Sequence, residues 1–187
     1  MRTFVAIELD DECRRKLVRA QEELRGSCGG VRWVRPDGLH LTLKFIGELA
    51  ETDVSSAASA ISSAASQASP FRMTLEGISG FPPKGRPRII FARVEEPHGV
   101  LAALAQAVDS GLCEALGIAP EERSFKSHVT LGRVQNPRDC PPVPELSGLV
   151  ADDDFGEVAV DSVVLMKSDL TPRGAIYTPL ERIRLHS

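Results

Sequence analysis

The sequence predicts an α+β protein with mostly antiparallel strands, on three observations. One order of elements occurs twice in the 187-residue chain: an alternating apolar strand, a helix, and then the string H-x-T-L. Both copies of the string, His40-Leu41-Thr42-Leu43 and His128-Val129-Thr130-Leu131, have the period-two pattern of a strand. The chain then closes on two more alternating segments joined by a Pro-Gly turn region.

Taken in order, residues 2–9 (RTFVAIEL) read as a strand, Asp10 as a helix N-cap, and Asp11 to Leu24 as a helix, before the first motif strand. Glu51 to Ser69 is Ser/Ala-rich. It is predicted as a helix rather than a linker, because Ala is the best helix former and Val54, Ala57, Ala58, Ile61, Ala64, Ala65 and Ala68 supply a small apolar face, with Thr52 as its cap. Phe71 to Ser79 returns as a strand, and residues 80–85 (GFPPKG) form a loop by their Gly and Pro content. Pro87 to Val94 is the next strand. Glu96-Pro97 opens a helix in which Val100, Leu101, Leu104, Val108, Leu112 and Leu116 recur at helical spacing until Gly117 stops it. Asn136 to Pro144 is a loop, and Phe155 to Lys167 and Ala175 to Leu185 are the closing strands.

Composition narrows the function classes. At 42% hydrophobic residues the chain can bury a sizeable core, and we expect one two-lobed domain over residues 1–187. The opening MRTFVAIELDDE holds no apolar run of signal-peptide or membrane-span length, so a cytoplasmic protein without membrane partners is expected, and a monomer. Cys13, Cys28, Cys113 and Cys140 form no C-x-x-C and no His-partnered spacing, so reduced thiols, no metal and no cofactor are expected. A net charge of −4 argues against non-specific coating of nucleic acid, so any RNA contact must be local. Three basic clusters allow it: Arg32, Arg35 and Lys44 around the first motif; Lys84, Arg86 and Arg88 in the Pro/Gly loop; and Arg123, Lys126 and Arg133 around the second.

The duplicated motif carries the chemistry. A single H-x-T-L arises easily by chance, but two in matching context, 88 residues apart, are equivalent half-sites. On a strand His and Thr at i and i+2 share one face while the intervening apolar residues pack on the other. Brought together, two imidazoles and two hydroxyls supply an acid, a base and hydrogen-bond donors. His40 and His128 are therefore the candidate catalytic residues, and Thr42 and Thr130 candidate substrate-binding residues. Arg133 lies five residues after His128, so alternation alone turns it away from the site; it reaches the site only if the strand ends or bulges at Gly132. Phe45 and Trp33 could stack on a nucleobase, although core packing is expected for both. His98 and His186 are expected at the surface.

These strings, with Gly47 after Lys44-Phe45-Ile46, Phe125 and Arg133 around the second histidine, and the tail Ser168-x-Leu170…Gly174…Tyr177…Leu180, resemble the two-histidine phosphoesterase superfamily. Within it the sequence is similar to bacterial and archaeal RNA 2′,3′-cyclic phosphodiesterases, once described as tRNA 2′-5′ ligases. Ser127 departs from the proline usual there before the second histidine. The resemblance implies a bilobal fold, with two pseudo-symmetric antiparallel sheets, outer helices and a central cleft. It implies hydrolysis of 2′,3′-cyclic phosphates on RNA ends or small nucleotides to 2′-phosphomonoesters, with His40 donating a proton to the leaving oxygen and His128 activating water. A 2′-5′ ligase running the reaction in reverse and a non-catalytic module gripping RNA ends are the alternatives.

Overall fold

The computed structural model describes residues 1–186. Among them three helices, α1 (Asp11–Arg25), α2 (Val54–Ala65) and α3 (Val100–Leu116), pack against nine strands: β1 (Arg2–Glu8), β2 (Val31–Trp33), β3 (His40–Glu48), β4 (Phe71–Phe81), β5 (Ile89–Glu95), β6 (His128–Val134), β7 (Asp154–Val160), β8 (Ser162–Thr171) and β9 (Gly174–Arg184). The sheet runs β7-β4-β5-β6-β3-β1-β8-β9, every pairing antiparallel, with β2 on β6. It divides into two halves of equal plan, β9-β8-β1-β3 and β7-β4-β5-β6, each containing one strand-helix-motif unit. They meet through one residue pair, Leu41 opposite Val129.

Those two residues occupy the same position in the two copies of the motif. An antiparallel pair in which a residue opposes its own counterpart has a local two-fold axis between them, so the repeat in sequence becomes a symmetry of the sheet. Directly opposed residues share a face. Leu41 and Val129 are fully buried, and the flanking His40, Thr42, His128 and Thr130 therefore emerge on the other face.

The main core lies under the helices and is continuous across both halves, holding Leu41 and Ile7 from one and Val129 and Ile90 from the other. A smaller cluster of Phe4, Ala6, Val164 and Met166, with Tyr177 against it, covers the opposite face beside His40. Helix starts follow local chemistry. The Asp10 carboxylate accepts from Cys13 N at 2.7 Å, and the Glu96 carboxylate accepts from the amides of His98, Val100 and Leu101 at the start of α3.

Several expectations need correction. The closing segment predicted as one strand, Phe155 to Lys167, is two: β7 pairs with β4 at one end of the sheet and β8 with β1 near the other. The break at Asp161 shows as a phase slip, because buried Val158 and Val160 are followed by buried Val163 and Leu165. The short strand β2 was not expected. Helix α2 begins at Val54 after a 3₁₀ turn at Glu51–Asp53, and Thr52 does not cap it. Strand β4 runs on through Phe81, two residues into the predicted loop.

Candidate active site

Each motif strand carries a β-bulge at the leucine that ends the motif. On β3, Val5 opposes Lys44 and Ala6 opposes Thr42, skipping Leu43; on β6, Ile90 opposes Gly132 and Phe91 opposes Thr130, skipping Leu131. Leu43 and Leu131 are counterparts in the repeat. A bulge adds one residue to one strand and so reverses the facing of everything beyond it. Leu43 with Lys44, and Leu131 with Gly132, are therefore pairs of consecutive buried residues, after which Phe45 and Arg133 turn outward on the histidine face. The bulge required for Arg133 to join the site is present, and Phe45 is its counterpart in the other half.

Phe45 is 63% exposed, so the expected core packing does not hold for it. Trp33 does pack against the core, under the Arg25 guanidinium at 5.5 Å. Lys44 leaves the basic cluster assigned to it. The bulge turns it inward, where its ammonium pairs with Asp109 at 2.6 Å and donates to Ala119 O at 3.0 Å. Arg86 is likewise engaged, donating to the carbonyls of Arg138 and Cys140. His98 and His186 are exposed, as expected.

Both imidazoles stand among aromatic rings. Phe4 stacks on His40 at 4.8 Å, and Tyr177 meets it edge-on at 5.1 Å. That approach relies on Gly38, where a Cβ would lie 3.1 Å from Tyr177 Cε2. Around His128 the edges of Phe81 and Phe91 each stand at 5.3 Å. Burial in this shell pushes the His40 pKa down to about 4; a hydrogen bond with the Gly38 backbone and the charge of Glu8, its cross-strand partner, pull it back up, and His128 pushes it further down. His40 is thus neutral at pH 7, with Nε2 3.1 Å from Thr42 Oγ1.

His128 Nδ1 lies 2.7 Å from Lys126 O. A carbonyl only accepts, so Nδ1 carries the proton, and in the neutral ring Nε2 keeps its lone pair. Ser127 donates its hydroxyl to Val94 O at 2.9 Å and so ties the entry of β6 to β5. Among the described residues no group of three His, Cys, Asp or Glu side chains is arranged to hold a metal ion, and no helix is long and apolar enough to cross a membrane.

The sequence reading placed His40, Thr42, His128, Thr130 and Arg133, and the structure brings all five to one face. It missed the supporting shell of Phe4, Glu8, Phe81 and Phe91, and read Tyr177 only as part of the tail that carries the resemblance, not as a ring against His40. It also missed Gln21, a buried α1 residue whose amide donates at 2.8 Å to both Val34 O and Leu131 O, holding the second bulge. A polar residue on the apolar face of α1 was the signal for Gln21; the aromatic shell depends on strand register and had none.

A duplicated His-x-Thr strand, paired with its own copy about a two-fold axis so that both histidines share a face, defines a two-histidine phosphoesterase. The sequence model of the LigT-like phosphoesterases matches twice, over residues 7–91 and 94–177, once around each motif, and the chain belongs to this family. It is 38% identical over 180 residues to the RNA 2′,3′-cyclic phosphodiesterase of Archaeoglobus fulgidus, covering 96% of this chain and 98% of that one. A crystal structure from Thermus thermophilus superposes with a TM-score of 0.83 at 36% identity, covering 99% of this chain and 98% of the other. The crystal structure of E. coli LigT complexed with 3′-AMP aligns at a TM-score of 0.75 and 26% identity, over 100% of this chain and 98% of that one.

Proposed function

We propose that this enzyme hydrolyses 2′,3′-cyclic phosphate ends of RNA to 2′-phosphomonoesters, by acid-base catalysis between His40 and His128 without a metal ion. The observation that carries the reading is the Leu41–Val129 pair, which sets two imidazoles on one face about a local two-fold axis. In-line displacement at phosphorus needs a base on one side and an acid on the other, and a two-fold arrangement supplies both. The names of the full-length relatives support the substrate.

In this reading His128 Nε2 takes a proton from water as the water oxygen bonds to phosphorus. The P–O3′ bond breaks, and His40 delivers a proton to O3′. Thr42 and Thr130 donate to the non-bridging oxygens as charge builds there. The low basicity of His40 suits a donor: its imidazolium is a strong acid, formed only when the substrate's phosphate anion arrives to stabilise it. Phe45, exposed one bulge beyond Thr42, offers its ring to the nucleobase.

Purified protein incubated with a 2′,3′-cyclic nucleotide, its product read by phosphorus NMR, tests the reading. A 2′-phosphate is expected, at a rate unchanged by dialysis against a chelator. A 3′-phosphate would place the acid over the wrong oxygen. Loss of activity that a divalent ion restores would overturn metal independence.

A further inference from the structure

Strand β2 pairs with β6 so that Arg32 directly opposes Arg133. Gly132 permits the close approach: a Cβ there would lie 2.6 Å from Val31 Cγ1 and 3.0 Å from Trp33 Cε3. Val31, Trp33 and Val134 face the core, so Arg32 and Arg133 both point outward, and the Leu131 bulge makes their face that of the histidines. Both are exposed, and among the described residues neither forms an ion pair. The charge of Arg133 also acts on Tyr177, the ring that meets His40 edge-on.

Like charges directly opposed across a strand pair destabilise it. Here they are held in register by a glycine, a bulge and the buried Gln21 amide. Two guanidiniums so fixed are complementary to an anion between them, and their planar donor forks match phosphate oxygens. We propose that Arg32 and Arg133 clamp a second phosphate, the phosphodiester one nucleotide upstream of the reacting end, so that the site takes an RNA chain end in preference to a lone nucleoside cyclic phosphate. The proposal rests on the reading that the histidine face takes the cyclic phosphate.

Calorimetric binding of adenylyl-adenosine 2′-phosphate and of adenosine 2′-phosphate tests it without turnover. The dinucleotide should bind the wild type on the order of tenfold more tightly, the yield of a charge-assisted contact. Its salt slope should be steeper by about 0.7, the value for one further phosphate neutralised on a single strand. Arg32→Ala and Arg133→Ala should each erase the preference, and Arg32→Lys should restore only part of it. A mononucleotide carrying a 5′-phosphate as well distinguishes the sources: an equal gain means the clamp reads a terminal phosphate, no gain that it reads the diester. A wild-type preference absent from the start, or unchanged in Arg32→Ala with its fold intact, overturns the proposal. If the preference is present but no cyclic nucleotide is hydrolysed, the clamp stands and the hydrolytic reading falls.

Discussion

His40 and His128 are chemically the same residue on equivalent strands, and their surroundings separate them. Replacing either with Ala should lower kcat/KM on a cyclic nucleotide by about 10²–10⁴-fold, the contribution of a positioned acid or base, with circular dichroism unchanged. Near wild-type turnover in either variant would end the two-histidine mechanism. Because burial holds His40 down at about 4 and the proton donor must be protonated to act, the alkaline limb of kcat/KM, which reports the free enzyme, should begin near pH 4. The same limb in kcat should lie higher, since the bound phosphate anion favours the imidazolium. Stability carries the same signature. Between the ordinary value of 6.5 and about 4, the unfolded chain takes up a proton that folded His40 refuses. Stability therefore falls as pH falls through that window, by up to about 1.4 kcal/mol per pH unit, and is unaffected above it. Urea unfolding at pH 7 and pH 4.5 should show this loss in the wild type, and a smaller one in His40→Gln.

The elements that build the site are strands interrupted at one matched position. Leu43 and Leu131 each occupy an extra place, and the bulges they create aim Phe45 and Arg133 at the substrate face. The same step sends Lys44 and Gly132 inward, where one meets Asp109 and the other admits β2. Gln21 bridges α1 to this second bulge. Gln21→Leu would leave Val34 O without its donor, at a cost of about 1–3 kcal/mol in denaturant unfolding. Gly132→Ala should cost a similar amount, about 1–3 kcal/mol, by driving a methyl into Val31. A wild-type midpoint in both variants would show that neither the bulge nor the β2 docking is held as described.

Across the whole molecule, the strand hydrogen bonding between halves narrows to Leu41 and Val129 while the core beneath is continuous. Their shared apolar burial therefore resists separation more than the backbone junction does. Thermal unfolding should be a single transition, with near-UV signal from Trp33 in the second half's sheet coinciding with far-UV loss from the helices. Two resolved transitions would mean that the halves are independent. The crossing from Val160 to Val163, which passes the chain from one end of the sheet toward the other, also belongs to this scale. Its mark in the sequence is a one-residue change of alternation, too slight to separate from one long strand.

By itself the sequence determined most of the elements, their repeat, and the two histidines and two threonines that share a face, because strand and helix periods are local and two copies of one reactive string are visible without coordinates. Arg133 shows where that reading stopped: its facing depended on a bulge, which alternation alone does not report. Phe45 and Lys44 were read in reverse for the same reason. The aromatic shell that lowers the His40 pKa, the opposition of Arg32 to Arg133, and the axis through Leu41 and Val129 were decided only by tertiary structure. Each depends on which strand lies beside which and in what register, and that is set by long-range burial rather than by neighbours in the chain.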